Sequence, residues 1–569
     1  MDAPQAVRVV TEVAALDRSF DYAVAAGAEV PAVGDRVRVD LHGRSVRGWV
    51  EDHVPAYREL KVVKKWLGLG PPASLLPLAA WAGERWYAPR SRFLLAMSPD
   101  RLVTTLPSAP VAPDLAPAIR ETATSYPPGV VRCAPNVDPL GLVLQAYLAA
   151  REASLPLLVL VPTDAWSRRL VGRLEQRGLP AVLASRWDCA RASWPIVVGA
   201  RGAAFAPIAQ LGAAVIIDVD DEAYRSEASP TWHALDVVRY RCGRDRAPLW
   251  ITSSLPSPSA LMVGPLSVAD DEEGQWPRIE VVDRRVSDPR DGVLAAHVVT
   301  AAHRALAGDS PVAVAVILQR LGRGRLFACS SCGTLARCAT CGAAEEESDG
   351  RLSCAEGHGD REVFCVACGA TKLRRVRSGV TTLARDVSAQ LSQDVTEVTA
   401  SSDPATALGR VVVGTEAVLQ RVRRCSLVVF VDFDQYLLAP RERARRDAVA
   451  AVARAGRLVG GRREGRGSVV LQTRRGDDAV ITALTTLKFQ ALSDEDVETA
   501  TVLGLPPYGA IAEIEGESAA AFVATMNTSG VTVSPTSKGF SVHAPDAEVL
   551  TNALRTGTRP AGRLRIAVT

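Results

Sequence analysis

The chain has 569 residues, of which 47% are hydrophobic and 23% charged, and a net charge of +3. That length supports three to five domains with cores of their own, and the near-neutral balance excludes a global field that would draw the whole molecule onto nucleic acid or a membrane surface. The longest apolar runs, such as 156–162 and 427–431, have strand length, and no apolar stretch with a cleavage site opens the chain, so a cytoplasmic protein without a membrane partner is expected.

Taken in chain order, residues 7–66 alternate with period two through Val7–Val10, Val37–Val39 and Val46–Val50, punctuated by Gly34, Gly43 and Gly48. Short strands at this spacing predict a small β-barrel over 1–70, a common nucleic-acid platform. Leu76, Leu78, Trp81 and Trp86 share one face of a predicted helix that Pro89 stops, which gives a helical, winged-helix-like unit over 71–106. The proline-rich stretch after it makes 107–129 a linker.

From 130 the pattern changes to buried strands separated by helices. Leu157–Val161, Ile196–Gly199, Ala214–Asp218 and Leu249–Ser253 predict a doubly wound α/β lobe over 130–275. A second lobe over 276–500 uses Val312–Leu318, Val411–Thr415, Leu427–Asp432 and Val469–Thr473. A small α+β domain over 501–569 follows. Basic residues are clustered locally, as at Lys61, Lys64 and Lys65, at Lys372, Arg374, Arg375 and Arg377, and at Arg462, Arg463 and Arg466. Such runs are either solvated faces or phosphate contacts.

The sharpest signal interrupts the second lobe at 326–372, where seven of the eleven cysteines fall. Cys329-Ser-Ser-Cys332, Cys338-Ala-Thr-Cys341 and Cys365-Val-Ala-Cys368 are three C-x-x-C pairs, and Cys354 stands alone. Each pair aims two thiolates at one centre, as tetrahedral Zn²⁺ requires, and the scattered remaining cysteines argue against a disulfide framework. Gly333 and Gly342 follow two of the pairs, where a knuckle turn calls for positive φ. Two zinc ions per chain are expected, one held by Cys329, Cys332, Cys365 and Cys368. The other is held by Cys338, Cys341, Cys354 and an eighth ligand, for which His358 is the available imidazole; its other reading is a solvated loop histidine between Gly357 and Gly359.

The order barrel, helical unit, lobe, lobe with a cysteine insert and small terminal domain resembles the PriA family (primosomal protein N′), relatives of the superfamily 2 helicases. Matching stretches run over nearly the whole chain: Leu16-Asp-Arg-Ser-Phe20-Asp21-Tyr22, Gly34-Asp-Arg-Val-Arg-Val39, 197–207, the cysteine cluster, 378–382, 453–457 and Leu503-Gly-Leu-Pro506-Pro507-Tyr508. The resemblance implies that the barrel captures a 3′ DNA end in a pocket at Phe20, Asp21, Gly34 and Lys61: an aromatic face for the terminal base, a carboxylate for the free 3′-OH and an ammonium for the phosphate. On the residues alone, Phe20 as barrel core and Asp21 as a strand-end cap remain open.

The resemblance also implies a nucleotide site, and the chain departs from it. A P-loop needs G-x-x-x-x-G-K-[ST], and the matching segment reads Cys133-Ala-Pro-Asn-Val-Asp-Pro-Leu-Gly141, without lysine and with two prolines. The Asp-Glu pair after the next strands is spread over Asp218-Val-Asp-Asp-Glu222, which reads as an acidic solvated turn. The Gly-Thr-Gln motif becomes Gly414-Thr-Glu416, and the final arginine motif keeps Arg454 and Arg457 but has Ala450 for its leading Gln. ATP is therefore not expected as a cofactor. The leading expectation is a replication-restart protein that binds branched and single-stranded DNA, touches single-stranded-DNA-binding protein, the replicative helicase or its loader, and works in the nucleoid without ATP hydrolysis. The alternatives are an active ATP-dependent 3′-5′ DNA helicase with an unorthodox nucleotide site, and a zinc-stapled protein-interaction module.

Overall fold

A computed structural model describes residues 5–13, 16–57, 60–226, 228–288, 290–319, 327–348, 350–354, 357–375, 379–439, 441–465 and 467–569. Arg377, Ser378 and Arg466, singled out above, and position 326 lie outside the described residues. Among the described residues, no helix is long and apolar enough to cross a membrane.

Strands β1 (Gln5–Thr11), β2 (Ser19–Ala23), β3 (Arg36–Leu41), β4 (Arg44–Pro55) and β5 (Lys65–Trp66) pair antiparallel in the order β2-β1-β4-β3-β5. A lone parallel bridge between Ala23 and Val62 ties the β2 edge to the residues entering β5, so the sheet curls closed. Period-two alternation turns Val7, Val9, Tyr22, Val37, Val39 and Val50 into the interior. The opposite face of β1 and β4 is also covered, because Val10 and Trp49 pack into the next unit, with the Trp49 indole N–H donating to Ser98 Oγ at 2.7 Å.

That unit is a helix pair, α1 (Leu76–Arg85) and α2 (Arg90–Ala96). The winged-helix-like expectation for 71–106 meets two helices and no strand, so there is no wing. Arg90, at the start of α2, holds the barrel through Ser19 Oγ at 2.7 Å and through Glu51. The aromatics of the pair reach the larger domains: Trp81 stacks on Tyr240 at 4.3 Å, Phe93 meets Phe205 at 5.6 Å and Tyr87 meets Phe522 at 5.9 Å. One continuous core consequently joins the barrel edge, the helix pair, one face of the first lobe and the terminal domain.

The first lobe is a seven-stranded parallel sheet, ordered Leu266–Val268, Gly129–Arg132, Leu249–Ser253, Ala213–Ile216, Leu157–Leu160, Ile196–Gly199, Ala181–Leu183. Its central strands are apolar without alternation because helices cover both faces. The proline-rich segment packs on this lobe, with Leu115 buried and Pro113 O accepting from Tyr147. The second lobe is a six-stranded parallel sheet, ordered Arg278–Asp283, Ser468–Thr473, Cys425–Phe430, Val312–Ile317, Val411–Gly414, Val395–Val398. Trp276, between the lobes, is buried against Phe489. The terminal domain is a four-stranded antiparallel sheet carrying the helices Ala519–Thr525 and Ala547–Thr556. The architecture is thus multidomain α/β with two parallel sheets.

Candidate DNA-end pocket, cysteine clusters and interlobe cleft

In the barrel, Phe20 is half-buried on β2 opposite Val9, and the Arg18 guanidinium lies 4.8 Å over its ring. Asp21 is paired with Arg8 across the β1–β2 ladder by contacts of 2.9 and 3.3 Å. Lys61 bonds Asp40 at 2.5 Å and Lys64 does so at 3.0 Å, which holds the Asp40 carboxyl well below the usual carboxylate range. The Lys61 carbonyl accepts from the Ala23 N–H at 2.9 Å, so Lys61 lies beside β2, two residues beyond Asp21.

Phe20 and Asp21 are consecutive on β2 and turn to opposite faces, Phe20 against the barrel core and Asp21 to Arg8, while Lys61 lies beside Ala23 and bonds Asp40. Gly34 donates its N–H to Val50 O at 2.8 Å, in the row that runs through Val9 to Phe20. Gly34 has φ +97°, and a Cβ there would sit 2.0 Å from Pro71 O. Its glycine is required by the junction between barrel and helix pair. Arg8, Arg18 and Asp40, the partners of Asp21, Phe20 and Lys61, were missed in the sequence because each lies on a different strand or loop.

The insert brings its eight candidate ligands into two groups. Cys329, Cys332, Cys365 and Cys368 form one, Cys338, Cys341, Cys354 and His358 the other, with all ligand atoms of a group within 4.8 Å of one another. Sulfur–sulfur separations of 3.5 Å recur in both, and Cys354 Sγ lies 3.5 Å from His358 Nδ1. A zinc ion with Zn–S near 2.3 Å has tetrahedron edges of about 3.8 Å, so donor type, number and spacing fit that ion. Each pair is a knuckle of one design: the glycine after the second cysteine, Gly333, Gly342 or Gly369, has φ of +74°, +72° or +74° and donates back to the first cysteine's carbonyl. Hydrogen bonds from Thr334 pull Cys332 down to about 6 and the backbone N–H groups of Cys341 and Thr340 pull Cys338 down to about 6, while burial pushes Cys341 up to about 11 and, against the Ala370 N–H, the thiols of Cys332 and Cys329 push Cys368 up to about 12.

Between the lobes, the segment in the P-loop position is packed rather than open. Asn136 Nδ2 donates to Gln275 O at 2.9 Å and to Gly456 O at 3.3 Å, and Arg457 Nε donates to Pro135 O at 3.1 Å. A Cβ on Gly456 would meet Pro277 and Pro135 at 2.9 and 3.0 Å, so the helix Ala444–Val459 comes as close here as a backbone can. Burial pushes the Cys133 thiol up to about 12. Arg457 pairs with Asp218 across the cleft and lies 5.1 Å over the Trp166 ring.

Arg454, next to it, bonds Glu416 at 2.6 Å and reaches Glu222 at 3.8 Å, while Tyr436 donates to the other Glu416 oxygen at 3.0 Å. Burial works against the charge on Arg454, and the Glu416 and Asp221 carboxylates overcome it. The gap left among Asp218, Ser254, Ala450 and the two arginines is about 30 Å³. That is room for one water, an order of magnitude below a small-molecule pocket.

A family model described as "3'DNA-binding domain (3'BD)" of PriA matches residues 8–99. The probable replication restart protein PriA of Mycobacterium leprae is 26% identical over 593 residues, covering 89% of this chain and 86% of its own. That of Mycobacterium tuberculosis H37Rv is 25% identical over 571 residues, covering 88% and 85%. Over most of its length the chain is thus similar to PriA proteins. The PriA of Haemophilus influenzae matches over a shorter stretch, 23% identical across 57% of this chain and 47% of its own. Among solved structures, S. cerevisiae Dbp5 bound to RNA and ADP BeF3 aligns with a TM-score of 0.35 at 10% identity, over 67% of this chain and 87% of that one.

In the cleft, the acidic stretch 218–222 is not the solvated turn its sequence suggested. Asp218 faces Arg457, Asp220 accepts from Ser253 Oγ at 2.7 Å and Asp221 caps the turn at Ala223. The reason is tertiary: these carboxylates end a strand at the cleft, and the opposing helix presents arginines to them. Glu416, noted in the sequence only as a departure from Gln, is the carboxylate that neutralises Arg454.

Proposed function

We propose that this chain is a replication-restart protein that binds forked DNA with an exposed 3′ end, helps reload the replicative helicase and does not hydrolyse ATP. What carries the last clause is the cleft: a helix-borne arginine bonded to the P-loop position and to the Mg²⁺-site position at once, around a gap of about 30 Å³. A triphosphate would have to displace both bonds and would gain neither a lysine nor a ring of backbone donors. The family match over 8–99 supports recognition of a DNA end by the barrel, with stacking on Phe20 and a hydroxyl contact at Asp21 the contacts proposed. In this reading the two parallel-sheet lobes are a helicase-type scaffold with the nucleotide chemistry lost. The insert holds two zinc ions, through Cys329, Cys332, Cys365 and Cys368 and through Cys338, Cys341, Cys354 and His358; such sites supply folding energy and present a rigid surface to partner proteins. Single-stranded-DNA-binding protein and the replicative helicase or its loader are the partners proposed, and the nucleoid the place of action.

The test is a fork-binding titration of the full-length protein beside an ATPase assay. Salt-sensitive fork binding that weakens when the leading-strand 3′-OH is replaced by a 3′-phosphate, with no DNA-stimulated hydrolysis, is expected. DNA-dependent turnover that Asp218→Asn abolishes would establish the helicase reading instead.

A further inference from the structure

A pocket of about 220 Å³ opens at the C-terminal edge of the second lobe's sheet, where parallel α/β folds place their ligand crevices. Three guanidiniums converge on it from separate segments: Arg284 just past the strand Arg278–Asp283, Arg374 from the strand Leu373–Arg375 at the base of the insert, and Arg474 directly after Ser468–Thr473. Asp291 and Asp432 also line it, but Asp291 accepts from the Ala296 N–H at 3.3 Å and Asp432 from the Gln435 amide at 2.7 Å. The neighbouring Arg285 and Arg475 are neutralised by Asp283 and Asp478 at 2.7 and 3.0 Å. Among the described residues, none of the three pocket arginines has an ion-pair partner, and Arg284 Nη1 and Arg474 Nε are buried without a hydrogen bond.

Gathering three guanidiniums costs free energy. Burial, and next the charge of Arg474, depress both Arg284 and Arg374 below the usual arginine range. In the cleft the arginines are bonded to carboxylates one by one, whereas here three guanidiniums share a pocket with two carboxylates, which leaves a positive charge in excess. Guanidiniums aimed at one point fit a tetrahedral oxyanion, whose oxygens accept planar N–H pairs. The pocket is several times the volume of a water but smaller than the pockets of about 300 Å³ and upward that enclose whole ligands. It has room for a phosphate and its attachment, not for a nucleoside triphosphate.

We propose that Arg284, Arg374 and Arg474 form a phosphate-binding site on the second lobe, filled by a backbone phosphate of a passing DNA strand or by free phosphate. The proposal leans on the DNA-binding reading only for the strand as the source. Arg374→Ala is the primary variant, because Arg374 is exposed; Arg474→Gln is the second, and Arg285→Ala the control outside the pocket.

Full-length protein is titrated with a fluorescent oligothymidine carrying a 3′-phosphate, so that recognition of a free 3′-OH by the barrel does not enter, across a salt series. Each lost phosphate contact should lower the slope of log K against log salt by about 0.7, which is roughly a fivefold weaker complex at 0.1 M salt. In parallel, thermal unfolding is followed with inorganic pyrophosphate. A slope change in both pocket variants but not in the control assigns a strand phosphate. Loss of pyrophosphate stabilisation alone in those variants assigns free phosphate. Wild-type slopes and wild-type pyrophosphate response in Arg374→Ala and Arg474→Gln overturn the proposal, whatever the barrel does with a free 3′ end.

Discussion

Arg457 is the single side chain on which closure of the cleft depends most, and replacing it with Met should show this. Breaking a buried ion pair by removing one partner costs roughly 3–5 kcal/mol, whereas an exposed pair is worth about 0–1 kcal/mol. The Arg457 and Asp218 side chains are 26% and 17% exposed, so the pair lies between these limits, at about 2 kcal/mol. The bond to Pro135 O adds about 1 kcal/mol, a discounted value for a charged donor. A total of about 3 kcal/mol corresponds to roughly a hundredfold more frequent opening, at 1.36 kcal/mol per tenfold.

Hydrogen–deuterium exchange of backbone amides in 133–141 reads this opening directly, and Arg457→Met should accelerate it about a hundredfold while strands of the barrel exchange unchanged. Asp218→Asn should do far less, because burial raises this carboxyl above its ordinary value and an amide removes the cost of burying charge. The same shift fixes a pH dependence. With the folded value above the unfolded one, the native state binds more protons between the two, so stability falls as pH rises through that window, and Asp218→Asn removes that slope. Exchange in Arg457→Met within twofold of wild type, or a larger effect from Asp218→Asn than from Arg457→Met, would refute the view that this arginine holds the cleft shut.

Metal analysis of purified protein should return two zinc ions per chain; His358→Ala should lower this toward one, and Cys365→Ser should remove the other site while leaving the His358 site filled. Chelation should unfold the insert, since binding energy at structural zinc sites, on the order of 10 kcal/mol, is folding energy. Phe20→Ala should weaken fork binding by about 1–3 kcal/mol, the worth of one base stacked on an aromatic ring, with no change in melting temperature beyond a few degrees; unchanged affinity would favour an interaction module without DNA function. Gly34→Ala should lose several kcal/mol of stability, because its Cβ would overlap Pro71 O and φ is +97°, and any loss of DNA binding should track loss of fold in circular dichroism.

Much of the architecture could be read from periodicity. Continuous apolar runs such as Leu157–Leu160 and Val411–Gly414 became central parallel strands, and valine alternation became the barrel, because in both cases burial acts on consecutive residues. The cysteine groups were legible because metal geometry constrains short spacings. Gly369 escaped notice although it repeats the knuckle of Gly333 and Gly342. The wing expected beside α1 and α2 had no strand signal of its own and does not form. Least legible was the cleft, where Arg457 meets Pro135 across 322 positions and Asp218 from another lobe. No local pattern encodes such a pair, and the acidic stretch 218–222 looked solvated for that reason.

The cleft residues also explain how the lobes could be kept without a nucleotide to join them. In a motor, arginines facing the γ-phosphate are satisfied only when ligand is bound, so an empty cleft leaves buried cations unpaired and tends to open. Here Glu416 and Asp218 face those arginines in place of a ligand, and Asn136 and Pro135 bind the helix that carries them. On the proposed reading, lobes closed in this way need no nucleotide to join them and forfeit the alternation that its turnover would drive. Replacing Glu416 with Gln, the residue the family motif carries, is then a sharper test than any deletion: it should leave Arg454 with only Glu222 at 3.8 Å, loosen the lobes as seen in exchange of 133–141, and still confer no ATP hydrolysis, because the phosphate cradle is missing. Recovery of hydrolysis in Glu416→Gln would mean that the cleft is a masked motor rather than a permanent joint.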